Sequence, residues 1–183
     1  MPADRIAWID IETSGLNPAR DTILEVACQV TDTDLNPLGS LYHAVIGDWP
    51  ERIRAIRRGA HPTVQAMHDT SGLWDEHATS TLHTLDVEEG LLAHIKQHAP
   101  EPCQARIGGN SVHFDLGFLR EQMPDVADHL HYRIVDVTSL ATVADWWTGC
   151  GLRPKAKQHR AADDLAETLA EARWLRDHLK GRP

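Results

Sequence analysis

Four carboxylates and a histidine stand where a chain can present side chains to a cleft. Asp10 and Glu12 close the apolar run Arg5-Ile6-Ala7-Trp8-Ile9. Residues two apart in a strand point the same way, so the two acids project side by side from a strand end. Like charges so placed repel, and burial raises the cost, so a positive group belongs between them. Turn-starting acids that meet solvent or an arginine would satisfy the same pattern. Asp115 follows Gly108-Gly109-Asn110-Ser111, inside the first turn of a helix, and Asp163 and Asp164 open another helix. Acids there are also ordinary partners of the helix dipole. Asp164 directly precedes Leu165 and lies at the edge of the core-facing side, whereas Asp163 leans toward solvent. His159 stands five residues before Asp164, in a loop with Lys155, Lys157 and Arg160. It reads either as a solvated loop residue or, beside acids, as a general base, a role for which histidine is the commonest side chain. Oxygen ligands suit Mg²⁺ or Mn²⁺ rather than zinc. Two such ions, about 3.5–4 Å apart, form the clamp used for in-line displacement at phosphorus.

These residues need a scaffold. Arg5 to Asp10 reads as a strand entering a turn at Ser14-Gly15-Leu16-Asn17-Pro18, and Ile23 to Thr31 as a second, β-branched strand. Leu41 to Ile46 reads as a third. Trp49 to Gly90, with its Arg52, Arg54, Arg57 and Arg58 run, is the least readable part. Val87 to His98 has helical spacing. Ala105 to Gly109 is a short strand ending in a Gly-rich turn. His113 to Met123 is a helix stopped near Pro124, Tyr132 to Val135 a strand, and Val137 to Trp147 a helix. A loop from Gly149 to Lys157 precedes the strongest helix, Ala161 to Leu179, whose stripe is Leu165, Leu169, Ala172, Leu175 and Leu179. Three strands, then alternating helix and strand, then a closing helix predict an α/β domain with a mixed sheet.

Composition limits the function classes. With 183 residues, 42% hydrophobic and 25% charged, the chain reads as one globular domain over residues 1–183. No apolar run approaches the roughly 20 residues of a membrane span, and the first residues carry no secretion signal. The three cysteines, Cys28, Cys103 and Cys150, are far apart and read as small, buried, reduced residues of a cytoplasmic protein. His43, His77, His83, His94, His98 and His178 carry no pattern and read as surface residues. Eighteen Lys and Arg against 27 Asp and Glu give a net charge of −9, which argues against a broad grip on long duplex nucleic acid. It leaves room for a short anionic substrate whose charge is met by metal ions.

Asp10-Ile11-Glu12-Thr13-Ser14-Gly15-Leu16 resembles the first motif of the DEDDh 3′→5′ exonucleases. Asn110 to Asp115 followed by Phe118-Leu119 is similar to the second, and His159-Arg160-Ala161-Ala162-Asp163-Asp164 to the third. Together they span most of the chain. The resemblance implies an RNase H-like α/β fold, a central mixed β-sheet flanked by helices. It implies Asp10, Glu12, Asp115 and Asp164 as metal ligands, two Mg²⁺ or Mn²⁺ ions, and His159 as the base.

Within that superfamily, Met67-His68 with Ser71-Gly72-Leu73, Gly109-Asn110-Ser111, and His131-Tyr132-Arg133 with Asp136-Val137-Thr138 resemble stretches of the oligoribonucleases. This resemblance implies a compact pocket for dinucleotides. Leu16 would wedge between the two bases, and His68 would contact the substrate. Ser111, Arg133 and Thr138 would cap its 5′ phosphate, and Tyr132 would reach over from the other subunit of a homodimer. Read without it, Leu16 is a turn residue packing on the core, Arg133 a surface cation, and Tyr132 strand packing. Ser111 and Thr138 then suit helix N-caps. The chain has Thr13-Ser14 where the family has Met-Thr, and Thr63 where it has a stacking aromatic; Trp49 and Trp74 are the substitutes at hand. The implied activity is cytoplasmic hydrolysis of short RNA from the 3′ end to nucleoside 5′-monophosphates. The alternative is a DEDDh exonuclease acting on longer single-stranded DNA or RNA in proofreading or repair. A non-catalytic binding module of this fold would have lost a ligand, and none is lost.

Overall fold

The computed structural model describes residues 4–151 and 159–181. Five strands, β1 (Arg5–Thr13), β2 (Ile23–Thr31), β3 (Tyr42–Val45), β4 (Ala105–Gly109) and β5 (His131–Asp136), form one sheet in the order β3-β2-β1-β4-β5. β1 pairs antiparallel with β2 and parallel with β4, so the sheet is mixed, as expected. The β1–β4 fit depends on Gly108, where a Cβ would come within 2.8 Å of the Trp8 ring and 2.7 Å of Ile6.

β1 is apolar on both faces because helices cover both. Ala7, Ile9 and Ile11 pack on Val87, Leu91 and Ile95 of α4 (Thr84–His98) and on Leu116, Phe118 and Leu119 of α5 (His113–Gln122). Ile6 and Trp8 face the other way, toward Val137, Ala141 and Ala144 of α7 (Val137–Thr148) and Leu165, Leu169, Ala172 and Leu175 of α8 (Ala161–Lys180). Each leucine or isoleucine so buried contributes roughly 1.5–3 kcal/mol. Asp10 and Glu12 continue the α8-facing register of Ile6 and Trp8, which sets them beneath the start of α8.

Several expectations change. Trp49 to Gly90 contains three short helices before α4: α1 (Pro50–Gly59), α2 (Pro62–Thr70) and α3 (Leu73–Thr79). α1 buries only Ile53 and α2 only His68, so neither leaves a periodic stripe in the sequence. Pro124 does not merely stop α5. It opens α6 (Pro124–His129) at the first helical position, where its missing N–H costs nothing. The α8 stripe ends at Leu175; Leu179, in the last turn, is 47% exposed.

Two histidines read as surface residues are buried, His77 against the Ile46 carbonyl and His94 beside Tyr42. Burial lowers the pKa of both, so each packs as a neutral ring. Of the cysteines only Cys28 is buried; Cys103 is exposed, at a left-handed turn residue, and Cys150 is half-buried. All three are free thiols. Of the loop from Gly149 to Lys157, residues 152–157 lie outside the described residues. No helix among the described residues is long and apolar enough to cross a membrane.

Candidate active site

The carboxylates meet at the end of β1, arriving from both faces of the sheet. Asp10 and Glu12 come from the strand itself. Asp115 enters from α5 and accepts a hydrogen bond from the Ile11 amide at 3.2 Å, which ties the helix start to the strand between the two acids. Asp164 sits in the first turn of α8, its amide bonded to the Arg160 carbonyl at 2.9 Å. Asp163 beside it is exposed, as the stripe predicted. His159 completes the group. One carboxylate oxygen of Glu12, one of Asp164 and a ring nitrogen of His159 lie within 4.8 Å of one another.

The electrostatics show unmet negative charge. Burial, then the charges of Asp115, Glu12 and Asp164, push the Asp10 carboxyl well above the usual carboxylate range. Glu12 is pushed up to about 8 by burial, then by Asp164, Glu25 and Asp115. Asp115 rises to about 7 because burial outweighs the backbone hydrogen bonds it accepts. Carboxylates crowded in this way are ionised together only when a cation joins them. An all-carboxylate set with one imidazole fits a hard divalent ion such as Mg²⁺ or Mn²⁺.

The Leu16 turn flanks the acids. Asp21 accepts from the Asn17 amide at 2.8 Å, and a Cβ on Gly15 would fall 2.4 Å from the Asp21 carboxylate, so a side chain there would push Asp21 out of its place. Leu16 at its tip is 81% exposed, so it does not pack on the core.

His68 is wholly buried instead of facing an open surface. Its Nε2 lies 2.9 Å from the Thr13 carbonyl and 3.9 Å from Glu12, and its ring meets Trp74 edge-on at 5.4 Å. Burial lowers its pKa, so it is a neutral donor to Thr13. In this arrangement it braces the end of β1. Trp74 is buried with it, so of the two tryptophans only Trp49 is exposed, as is Thr63.

On the other side of the acids, Thr138 Oγ1 accepts from the Ser111 amide at 3.0 Å and donates to Asn110 Oδ1 at 3.2 Å. Asn110 in turn donates to Thr168 of α8 at 2.6 Å. Neither Ser111 nor Thr138 is an N-cap. Asp136 caps α7, and Val112, with no side-chain bond, precedes α5. Ser111 and His159 share a left-handed backbone, φ 51° and 56°, which is uncommon outside glycine and concentrates at functional loops. Tyr132 and Arg133 are exposed on edge strand β5, the guanidinium 5.4 Å over the Tyr132 ring. Tyr132 is therefore not strand packing.

The sequence reading overlooked Glu25. A lone acid in the fully buried strand ILEVACQVT is itself a signal, because a buried charge must be paired. Its partners are Arg160, His43 and the Ala161 amide.

Known proteins resemble this chain in sequence and in fold. A family model described as exonuclease matches residues 7–172. The oligoribonuclease of Streptomyces griseus is 40% identical over 95% of this chain and 86% of its own. That of Rhodococcus jostii is 36% identical over 94% of this chain and 86% of its own. Among solved structures, exonuclease I from Methylocaldum szegediense superposes with a TM-score of 0.68 at 18% identity, covering 98% of this chain and 42% of that one. That likeness shows the fold, which together with the family match is the RNase H-like exonuclease fold. On the strength of the family match and of relatives aligned over nearly its whole length, the chain belongs to the oligoribonuclease family of 3′→5′ exonucleases.

Proposed function

We propose that residues 1–183 act as one exonuclease domain in the cytoplasm, hydrolysing short oligoribonucleotides, down to dinucleotides, to nucleoside 5′-monophosphates. The observation that carries the reading is the meeting of Asp10, Glu12, Asp115 and Asp164 with His159 at one strand end. These acids hold two Mg²⁺ or Mn²⁺ ions, whose charge lets the carboxylates ionise and offsets the negative charge that builds at phosphorus. His159 accepts the proton of the attacking water. The oxygen of that water bonds to phosphorus in line, the bond to the 3′-oxygen breaks, and that oxygen takes up a proton from solvent as it leaves.

Leu16 is the base wedge, its exposed side chain at the tip of a pinned turn. Ser111, Thr138 and Arg133 receive the 5′ phosphate, and a few local donors of this kind suit a chain of net charge −9. His68 serves the substrate side by holding Thr13. The enzyme works as a homodimer, with Tyr132 of each subunit reaching its partner's pocket. Exposed Tyr132 and Ile134 on β5 and Leu140, Trp146 and Trp147 on α7 supply an apolar surface for that contact.

The test is a time course on 5′-labelled RNA and DNA of two, five and twenty nucleotides, with and without EDTA. A capped pocket cleaves the dinucleotide fastest, prefers RNA and stops with EDTA. Faster cleavage of the twenty-nucleotide strands, with a steep salt dependence, would show an open groove instead.

A further inference from the structure

Glu25 is the most completely satisfied charge beside the acid cluster. Its carboxylate accepts from Arg160 Nε at 3.1 and 3.2 Å, from Arg160 Nη2 at 2.8 Å and from the Ala161 amide at 3.0 Å, and it lies 2.6 Å from His43 Nε2. The rest of the guanidinium reaches Glu76 of α3 by two bonds of 2.8 Å and the Ser71 carbonyl at 3.3 Å. Arg160 thus joins β2, the end of α2, α3 and the start of α8, and an arginine fork held on several sides loses little freedom. Its position in the chain matters as much. It lies between His159 and the first residue of α8, and its own carbonyl receives the Asp164 amide. Glu25 in turn stands opposite Glu12 in the β1–β2 register.

We propose that Glu25 and Arg160 form a positioning clamp that sets His159 and Asp164 against Glu12. The pair touches neither ion nor substrate. It holds the entry to α8 on β2, one residue pair away from the strand that carries Asp10 and Glu12. Without it, the left-handed turn at His159 and the first turn of α8 lose the charged anchor that Arg160 makes to Glu25 of β2. The inference rests on the site assignment proposed above.

The test combines calorimetric Mn²⁺ titration of metal-freed protein, thermal melting, and kcat and KM for a dinucleotide. In Arg160→Gln, Mn²⁺ affinity and kcat each fall about 10–100-fold, as for other residues that orient a metal site, while KM changes little. Arg160→Lys restores part of both, since one ammonium cannot span Glu25 and Glu76. Unchanged Mn²⁺ affinity and kcat in Arg160→Gln would overturn the clamp, as would a loss confined to melting temperature and KM. If Arg160→Gln does not fold, Arg160→Lys carries the test, and wild-type kcat and Mn²⁺ affinity there overturn it. An inactive wild type, or an Asp164→Asn variant of full activity, would instead sink the site assignment itself.

Discussion

Glu12 and Glu25 face each other across the β1–β2 ladder, yet their carboxyl groups are driven in opposite directions. Glu12 is pushed up to about 8 by burial and by its acidic neighbours. Burial also pushes Glu25 up, but hydrogen bonds from His43, Arg160 and the Ala161 amide outweigh it and hold the group down to about 2. One glutamate is thus an anion already neutralised by protein, and the other an acid that ionises readily only once a cation joins it. The difference lies wholly in partners, since both belong to paired strands of one sheet.

The metal-free protein should therefore lose stability as pH rises. Groups whose folded pKa is raised, Glu12 to about 8 and Asp115 to about 7, stabilise the fold fully below their ordinary values of 4.5 and 3.8 and lose that contribution as pH climbs through 7 to 8. Glu25 acts oppositely, its contribution present above 4.5 and lost as pH falls toward 2. Melting in EDTA should show a lower transition temperature near pH 8 than near pH 5.5, and Mn²⁺ should raise the transition more at the higher pH. A flat profile would mean that burial and neighbouring charge do not raise these groups in the folded protein.

Removing the proposed base should spare the fold and cost the rate. His159→Ala is expected to lower the single-turnover rate on a dinucleotide by about 10²–10⁴-fold at saturating Mn²⁺. Its far-ultraviolet circular dichroism should match wild type.

Leu16 offers a separation of binding from stability. Because its side chain is 81% exposed, Leu16→Ala should change the unfolding free energy by no more than about 0.5 kcal/mol. The KM for a dinucleotide should rise about tenfold as apolar contact with the bases is lost. Urea titration and steady-state kinetics on the same sample check both.

His68 should behave the other way. His68→Ala leaves the Thr13 carbonyl without its ring partner and opens space beside Trp74. The lost hydrogen bond alone is expected to cost about 1–3 kcal/mol in urea unfolding.

The proposed dimer face can be tested by charge. Trp146 and Trp147 are both highly exposed on α7, so Trp147→Asp should shift sedimentation from dimer to monomer without unfolding the subunit. If wild type sediments as a monomer, Tyr132 has no partner pocket to enter.

Local chemistry determined much of this molecule before any packing was known. The bounds of β2 and β4, and the start of α8 at Ala161, follow from β-branched runs, glycines and an apolar stripe that any stretch of chain displays by itself. Asp10, Glu12, Asp115 and Asp164 stood out as candidates because strand ends and first helical turns are local features with recognisable residue types, whereas His159, a loop residue, stood out through the resemblance of its spacing to Asp164. What lay outside local reach was decided by partners distant in sequence. α1 and α2 each bury a single residue, so their helical form leaves no stripe. His68, His77 and His94 are interior because strands and aromatic rings from elsewhere close over them, and a histidine is neutral enough to accept that. Glu25 and Arg160 are 135 residues apart, and only the docking of α8 on β2 makes them a pair. Charge type is written residue by residue, whereas the environment that gives one glutamate a cation and leaves another without one exists only after the sheet and helices have packed.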